Sequence, residues 1–464
     1  MKLVVGRYVV TMDQQRRILK DGAVVVEGNR IAEIGEMRSL QQRYPDAELL
    51  GGSEYAVLPG LINTHTHLAS SLYRGIGDDM SLMEMNKRML FPIERAITPE
   101  DVYVGALLSL IEMVRNGITT TADMYLNQDK VAEAIRDIGM RGVVSTALID
   151  QWEGEEAAPI KCTDEVLEEG VHLVEQWNGA VNGRIRAWFA PYTELLASEE
   201  LMQRVRELAD RYRTGIHVHL AETLEGVERI RRRQGTRVFE YVNGIGLLGS
   251  DVLAAHCCWL SEKDIAIVKQ TGVKIAHMPS AEMKLSDGIT PVPRLLSEGI
   301  CVAVGLDGPG WNNCNDLLRE AKTAALLHKV NWPLDPELIP AEVAFEMITV
   351  NAARALCWDD EIGSLEVGKR ADILLVDLQQ PYFIPLVDRP KCNIINQLIY
   401  AASGHDVDTV LVDGEIVVQN HRVVTVDENQ VLREGSQRAK DLIARSGVGD
   451  DTIPLRWTGI SSSG

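Results

Sequence analysis

Alternating apolar and polar residues predict a small β domain that is built from both ends of the chain. Short strands are predicted at residues 3–11, 22–27, 30–34 and 49–57, with Gly28 and Asn29 as a hairpin turn. The pattern returns at 371–377, 409–412 and 415–419, where Asp413 and Gly414 mark a second hairpin. A β unit at each end predicts that the two ends meet in one β-sandwich.

The middle of the chain has a different pattern, which begins at Pro59. Short apolar runs there alternate with segments of helical period, and this order indicates βα units around a parallel sheet. Eight strands are predicted, at 61–67, 119–124, 142–147, 185–190, 215–220, 252–256, 274–277 and 301–306, followed by one helix over 340–356. Eight strands close a (β/α)8 TIM barrel, so the predicted fold class is α/β.

The predicted domain boundaries follow from these two patterns. Residues 1–58 form the first part of the sandwich, 59–358 the barrel, 359–430 the second part of the sandwich, and 431–464 a C-terminal helix and tail.

Charge and cysteine usage limit the partners and the compartment. The 464 residues carry a formal net charge of −20, which disfavours nucleic acid and anionic membrane surfaces as partners. Seven cysteines form no CxxC pair, and neither a signal peptide nor a membrane span is evident. A cytoplasmic enzyme with a small-molecule substrate is expected, and a homo-oligomer is compatible with the sequence.

Histidine and carboxylate residues cluster where the predicted barrel strands end. His65 and His67 are two residues apart, so on a strand both side chains point to one face. With His219 and Asp307 they would form a nitrogen- and oxygen-rich site that suits Zn²⁺ or Fe²⁺ and leaves a position for water. Glu222 could move a proton from that water to the substrate, and His256 could orient the attacked group.

The same stretches resemble the amidohydrolase superfamily, in the branch of S-adenosylhomocysteine, methylthioadenosine and guanine deaminases and the triazine hydrolases. The matching runs are at 59–67, 117–121, 217–222, 255–257, 283–293, 305–308 and 363–372.

By this resemblance, His65, His67, His219 and Asp307 bind one metal ion, and Asp307 also accepts a proton from the metal-bound water. Glu222 is the proton shuttle, and His256 contacts substrate or water. The absence of lysine from 185–192 favours a single metal ion. Zn²⁺ is the first candidate for this ion, and Fe²⁺ is the second.

The substrate-binding residues are predicted from where the chain follows or departs from the family pattern. Glu84 is the candidate ribose ligand. Tyr192 stands where adenosine-type enzymes carry histidine, and Glu282 replaces the asparagine of a Ser-Asn pair. Trp152 and Trp311 could stack on a heteroaromatic ring or pack in the core.

The first functional hypothesis is a metal-dependent hydrolytic deaminase of an aminated nitrogen heterocycle, with adenosine, methylthioadenosine or S-adenosylhomocysteine as substrate types. Metal-bound hydroxide would attack the amino-bearing ring carbon. The alternatives are an s-triazine hydrolase, a guanine or pterin deaminase, and, outside enzymes, a catalytically dead barrel that acts as a binding protein.

Overall fold

The computed structural model describes residues 1–151, 161–331 and 334–449. Its strands are β1 (Lys2–Val10), β2 (Ile18–Glu27), β3 (Arg30–Glu36), β4 (Glu48–Pro59), β5 (Leu61–Thr66), β6 (Ile118–Tyr125), β7 (Arg141–Leu148), β8 (Ile185–Pro191), β9 (Ile216–Leu220), β10 (Val252–His256), β11 (Lys274–His277), β12 (Val302–Val304), β13 (Ile373–Asp377), β14 (Val407–Val412), β15 (Glu415–Gln419) and β16 (Arg422–Val423).

The α-helices are α1 (Met37–Arg43), α2 (Leu82–Met85), α3 (Phe91–Ala96), α4 (Pro99–Arg115), α5 (Gln128–Ile138), α6 (Thr163–Trp177), α7 (Ala180–Gly183), α8 (Glu199–Tyr212), α9 (Leu224–Gln234), α10 (Val238–Gly244), α11 (Glu262–Thr271), α12 (Pro279–Leu285), α13 (Val292–Ser297), α14 (Leu317–Val330), α15 (Ala341–Met347), α16 (Val350–Ala355), α17 (Ile394–Tyr400) and α18 (Glu428–Ser446). In the described ranges, no helix combines the length and hydropathy that crossing a bilayer would require.

The single helix predicted over 340–356 is wrong, because α15 and α16 are separated at Thr349. The backbone of Thr349 is not helical, with φ −129° and ψ −97°. Its hydroxyl donates to the carbonyl of Phe345 at 2.6 Å, which is a local bond that competes with continued helix.

Strands β5 to β12 form a parallel sheet in which every strand pairs with its neighbours in sequence order. The sheet closes where the backbone N–H groups of Leu306 and Asp307 donate to the carbonyl of His65, at 3.2 and 3.0 Å. The predicted TIM barrel is therefore confirmed. Closure places the residues that follow each strand around one rim of the barrel.

The chain ends form the second sheet, in the order β16-β15-β14-β13-β4-β1-β2-β3. Strand β4 lies at its centre, parallel to β1 and antiparallel to β13, so both ends of the chain meet there. Alternate residues such as Val57, Ile373 and Leu375 bury one face of this sheet. The expected sandwich-like domain from both chain ends is confirmed.

A buried ion-pair network joins the two domains. The guanidinium of Arg141, at the start of β7, donates to both carboxylate oxygens of Asp372 at 3.0 and 3.1 Å and to Asp413 at 3.3 Å. The Arg141 side chain is fully buried, so these carboxylates offset the cost of removing its positive charge from water.

Candidate metal centre and active site

A cavity of about 1010 Å³ opens at the rim where the barrel strands end. The predicted site residues that line it are His67, Tyr192, His219, Glu222, His256, Asp307 and Trp311. They come from the ends of β5, β8, β9, β10 and β12, or from the loops that follow them. These predicted residues at the strand ends therefore line one cavity.

Three imidazoles form the centre of this site. Ring nitrogens of His65, His67 and His219 all lie within 4.8 Å of one another, and all three residues are buried. One carboxylate oxygen of Asp307 lies 3.4 Å from Nε2 of His67 and 3.9 Å from Nε2 of His65. Asp307 itself has a left-handed backbone, with φ +60°, and such strain is common at functional sites.

Backbone carbonyls fix which nitrogen of the His67 and His219 rings faces the centre. Nδ1 of His67 donates to the carbonyl of Met124, and Nδ1 of His219 donates to that of Tyr192 at 2.8 Å. A neutral imidazole that donates through Nδ1 presents an unprotonated Nε2. Carbonyl acceptors of this kind are the usual supports of metal-binding histidines.

The donor set fits a divalent metal ion. Burial, followed by the neighbouring imidazole of His219, lowers the pKa of His67 to about 3, and burial lowers the pKa of His219 to about 4. The rings are therefore neutral at pH 7, yet Nε2 of His219 lies only 3.2 Å from Nε2 of His65. A shared cation would stabilise two unprotonated Nε2 atoms at this distance, and three imidazoles with one carboxylate suit such an ion.

His217 is a supporting residue that the sequence-based prediction left without a role. It lies in β9 two positions before His219, so both rings face the barrel interior. Its Nε2 is 2.9 Å from Nδ1 of His65, and this contact orients the His65 ring from the barrel interior. The i, i+2 rule that pairs His65 with His67 also pairs His217 with His219, so the signal was present in the sequence.

Glu222 and His256 face each other beside the three imidazoles. Nε2 of His256 lies 3.5 Å from Oε1 of Glu222. Burial, reinforced by the carboxylates of Asp287 and Asp307, raises the pKa of Glu222 well above its ordinary value. A carboxyl group in this environment keeps a proton that it can donate.

The structure separates Glu84, the predicted ribose ligand, from the cavity. Glu84 is on α2, its side chain is half exposed, and it pairs with Arg88 at 2.6 Å. Glu94, on α3, lines the cavity instead and accepts a hydrogen bond from the hydroxyl of Tyr125. Burial raises the pKa of Glu94 to about 7. A lone acidic residue in an amphipathic helix carries no sequence signal that would distinguish Glu94 from a solvated side chain.

Three other predicted contacts have different outcomes. Tyr192 and Trp311 line the cavity, and the Trp311 ring lies 4.9 Å from that of His67. Glu282 lies behind His256, outside the described cavity wall, where it is completely buried. Trp152 lies outside the described residues.

Comparison with known proteins identifies the family. The model of the amidohydrolase family matches residues 56–417. The chain belongs to this family. A bacterial imidazolonepropionase-like composite domain also matches residues 22–47, within the N-terminal strands. The predicted resemblance is confirmed, and so is the enzyme class, a hydrolase that acts on carbon–nitrogen bonds of cyclic amidines.

Similar amidohydrolases have adenine nucleosides in their names. A 5'-deoxyadenosine deaminase of Methanosarcina acetivorans is 40% identical over 444 residues, which cover 96% of this chain and 99% of the relative. A 5-methylthioadenosine/S-adenosylhomocysteine deaminase of Desulforudis audaxviator is 40% identical, with 91% and 95% covered. An adenosine deaminase of Xanthomonas campestris with bound zinc superposes with a TM-score of 0.89 at 30% identity, covering 95% of this chain and 98% of that one.

Proposed function

We propose that this amidohydrolase hydrolyses the 6-amino group of adenine nucleosides, with 5'-deoxyadenosine and 5'-methylthioadenosine as the preferred substrates and Zn²⁺ as the metal. The observation that carries the proposal is the placement of Glu222, which lines the cavity beside His256, next to three clustered imidazoles and the carboxylate of Asp307. The names of the similar deaminases and the zinc in the similar adenosine deaminase support it.

The residues of the site divide the reaction between them. His65, His67, His219 and Asp307 would hold the metal, which supplies Lewis acidity that activates water at neutral pH. Glu222 donates its proton to a ring nitrogen of the adenine, so the carbon that bears the amino group becomes electrophilic. Asp307 takes a proton from the attacking water, and Nε2 of His256 accepts a hydrogen bond from the remaining O–H of the attacking oxygen. Asp307 then passes its proton to the amino group, the new hydroxyl returns a proton to Glu222 as the carbonyl forms, and ammonia leaves.

The cavity wall supports a nucleoside over a bare heterocycle. Glu94 lines the cavity with its carboxylate held by Tyr125, and a carboxylate is a suitable acceptor for the two ribose hydroxyls. Trp311 and Tyr192 provide aromatic surface near the metal ligands, against which a purine could stack. Glu94 therefore takes the ribose-binding role that the sequence assigned to Glu84.

The charge of the wall favours a neutral 5' substituent over the amino-acid chain of S-adenosylhomocysteine. Its acidic side chains outnumber the basic ones by eight to three among the described lining residues; they are Glu94, Asp129, Glu165, Glu168, Glu169, Glu194, Glu222 and Asp307 against Arg95, Lys161 and Arg229. All three basic groups already have interaction partners: Lys161 pairs with Glu169, Arg229 pairs with Glu225, and Arg95 has a partner as well. A substrate carboxylate would meet little uncompensated positive charge.

An ammonia-release assay with the zinc-loaded protein tests the proposal. The panel contains 5'-deoxyadenosine, 5'-methylthioadenosine, adenosine, S-adenosylhomocysteine, guanine, a pterin, an aminotriazine and a chlorotriazine, with chloride measured for the last. We expect the first two substrates to have the highest kcat/KM. A triazine or guanine as the best substrate would contradict the proposal.

Replacing Glu222 by Gln provides the catalytic control. The variant keeps the shape of the side chain but has no acidic proton, so kcat should fall by about 10²–10⁴-fold. The metal content should stay equal to that of the wild type, because Glu222 is not among the expected ligands. Full activity in this variant would mean that another group moves the proton.

A further inference from the structure

Behind His256 lies a row of buried ionisable side chains that the proposed reaction does not use. Glu282, on α12, is completely buried. One of its carboxylate oxygens lies 3.0 Å from Nδ1 of His277, and the other accepts the backbone N–H of Met278 at 2.9 Å. Nε2 of His277 in turn lies 3.3 Å from Nε2 of His328, on α14. The row therefore runs from the active site to the outer helices.

His256 is the end of this row that reaches the cavity. Its Nδ1 is buried and makes no hydrogen bond in the described structure, while the nearest charged group, Oε1 of Glu282, lies 3.9 Å away. Its Nε2 points the other way, to Glu222 at 3.5 Å. The His256 ring thus lies between two carboxyl groups whose pKa values are shifted in opposite directions. Burial raises the pKa of Glu222, whereas the hydrogen-bond donors around Glu282, with His277 first, hold its pKa low against the effect of burial.

The backbone of His256 is also held from this side. His256 and Cys257 both have left-handed backbones, with φ +69° and +61°, a conformation that costs energy in residues other than glycine. The hydroxyl of Thr290 donates to the carbonyl of His256 at 2.6 Å and lies 3.1 Å from both oxygens of Glu282. Thr290 therefore holds the backbone of His256, Glu282 lies beside the ring, and Thr290 and Glu282 also contact each other.

We propose that Glu282 is a positioning residue that acts through His256. Its carboxylate accepts the Nδ1 proton of His256 when the ring turns to close the gap, so that Nε2 stays unprotonated and directed at Glu222 and the reacting oxygen. Hydrogen bonds in active sites are commonly long without substrate and shorten in the complex. A carboxylate behind an imidazole selects one tautomer and one orientation. In this role Glu282 stays a carboxylate and only accepts a hydrogen bond.

The competing explanation is that Glu282 only stabilises α12 and satisfies His277. Glu320 offers a matched control for it, because its carboxylate accepts the N–H of Ser280 at 2.8 Å, also at the start of α12, and is buried as well. Glu320 is outside the cavity wall and binds Asn312 rather than His256. Loss of a buried helix-capping carboxylate is therefore common to both variants, whereas contact with His256 is unique to Glu282.

The first measurement is the tautomer of His256 by ¹⁵N NMR in zinc-loaded wild-type protein, with a His256→Asn variant to assign its signals. We expect the proton on Nδ1. A proton on Nε2 would overturn the proposal, whatever the activity is. This measurement needs no substrate, so its failure is distinguishable from failure of the proposed function, on which the kinetic part rests.

The second measurement compares Glu282→Gln with Glu320→Gln at equal zinc content, using 5'-deoxyadenosine. We expect kcat of Glu282→Gln to fall by about 10–100-fold with little change in KM, and the fraction of Nε2-protonated His256 to rise. Glu320→Gln should lower thermal stability without either effect. Equal kcat in the two variants, or an unchanged tautomer in Glu282→Gln, would show a purely structural role for Glu282.

Discussion

The proposed ribose ligand, Glu94, gives the most specific prediction, because the sequence pattern indicated Glu84 instead. Glu84 and Glu94 are both glutamates on the helices after β5, but only Glu94 lines the cavity. Replacing Glu94 by Gln keeps its size and removes its charge. We expect this change to weaken recognition of nucleosides and to leave deamination of a free base unaffected.

The size of the effect follows from the bonds that Glu94 can make. Its carboxylate is half-buried and already accepts the hydroxyl of Tyr125, which leaves lone pairs for the ribose hydroxyls. A hydrogen bond to a charged group contributes about 1.5–3 kcal/mol, and each 1.4 kcal/mol is tenfold in affinity. The loss of that contribution predicts a fall in kcat/KM for 5'-deoxyadenosine of about 10–100-fold, mostly through KM.

The assay is steady-state deamination of 5'-deoxyadenosine and of free adenine by the wild type, Glu94→Gln and Glu84→Gln. Glu84 is the matched control, since its exposed ion pair with Arg88 contributes little. The reasoning would be refuted if Glu84→Gln lost nucleoside activity while Glu94→Gln kept it, or if Glu94→Gln reduced turnover of adenine equally.

Three further predictions concern the metal, pH and domain contact. His219→Ala should lose most of its metal and its activity, measured by elemental analysis and ammonia release, and added Zn²⁺ should not restore them. Burial raises the pKa of Glu194 from 4.5 to about 7 in the folded protein. Below pH 4.5 this carboxyl is protonated in the folded and in the unfolded protein. Between pH 4.5 and 7 only the unfolded protein loses the proton readily, so folding becomes less favourable as the pH rises. Urea unfolding at pH 8 should then show Glu194→Gln more stable than the wild type, by up to about 3 kcal/mol, with the difference shrinking at pH 5. Arg141→Met should lower the free energy of unfolding by about 3–5 kcal/mol, because Asp372 and Asp413 lose their buried partner; an unchanged urea midpoint would contradict the role of this network.

The order of the strands and the cluster of candidate metal ligands were predictable because both follow from short-range rules. Eight apolar runs that alternate with helices specify a barrel, and barrel closure then brings His65, His219 and Asp307 together although they are far apart in sequence. The two histidines at i and i+2 in β9 would have identified His217 by the same rule.

The substrate-binding wall was less predictable, because it depends on how loops and short helices pack over the rim. Glu84 and Glu94 lie on neighbouring short helices, and α3, which carries Glu94, packs Ile93 into one buried cluster with Leu442 of α18. Glu282 was expected to touch substrate, but α12 turns it back to its own N-terminus and to His277. Such choices depend on tertiary contacts, which a local sequence pattern does not encode.

Product analysis in heavy-oxygen water tests the central claim most directly. The zinc-loaded protein is incubated with 5'-deoxyadenosine, and ammonia and the labelled product are quantified together. We predict equal amounts of ammonia and 5'-deoxyinosine, with solvent oxygen at the carbon that carried the amino group, and almost none of either with Glu222→Gln. Absence of ammonia from a fully metal-loaded wild-type protein, or a product without solvent oxygen, would contradict hydrolytic deamination at this site.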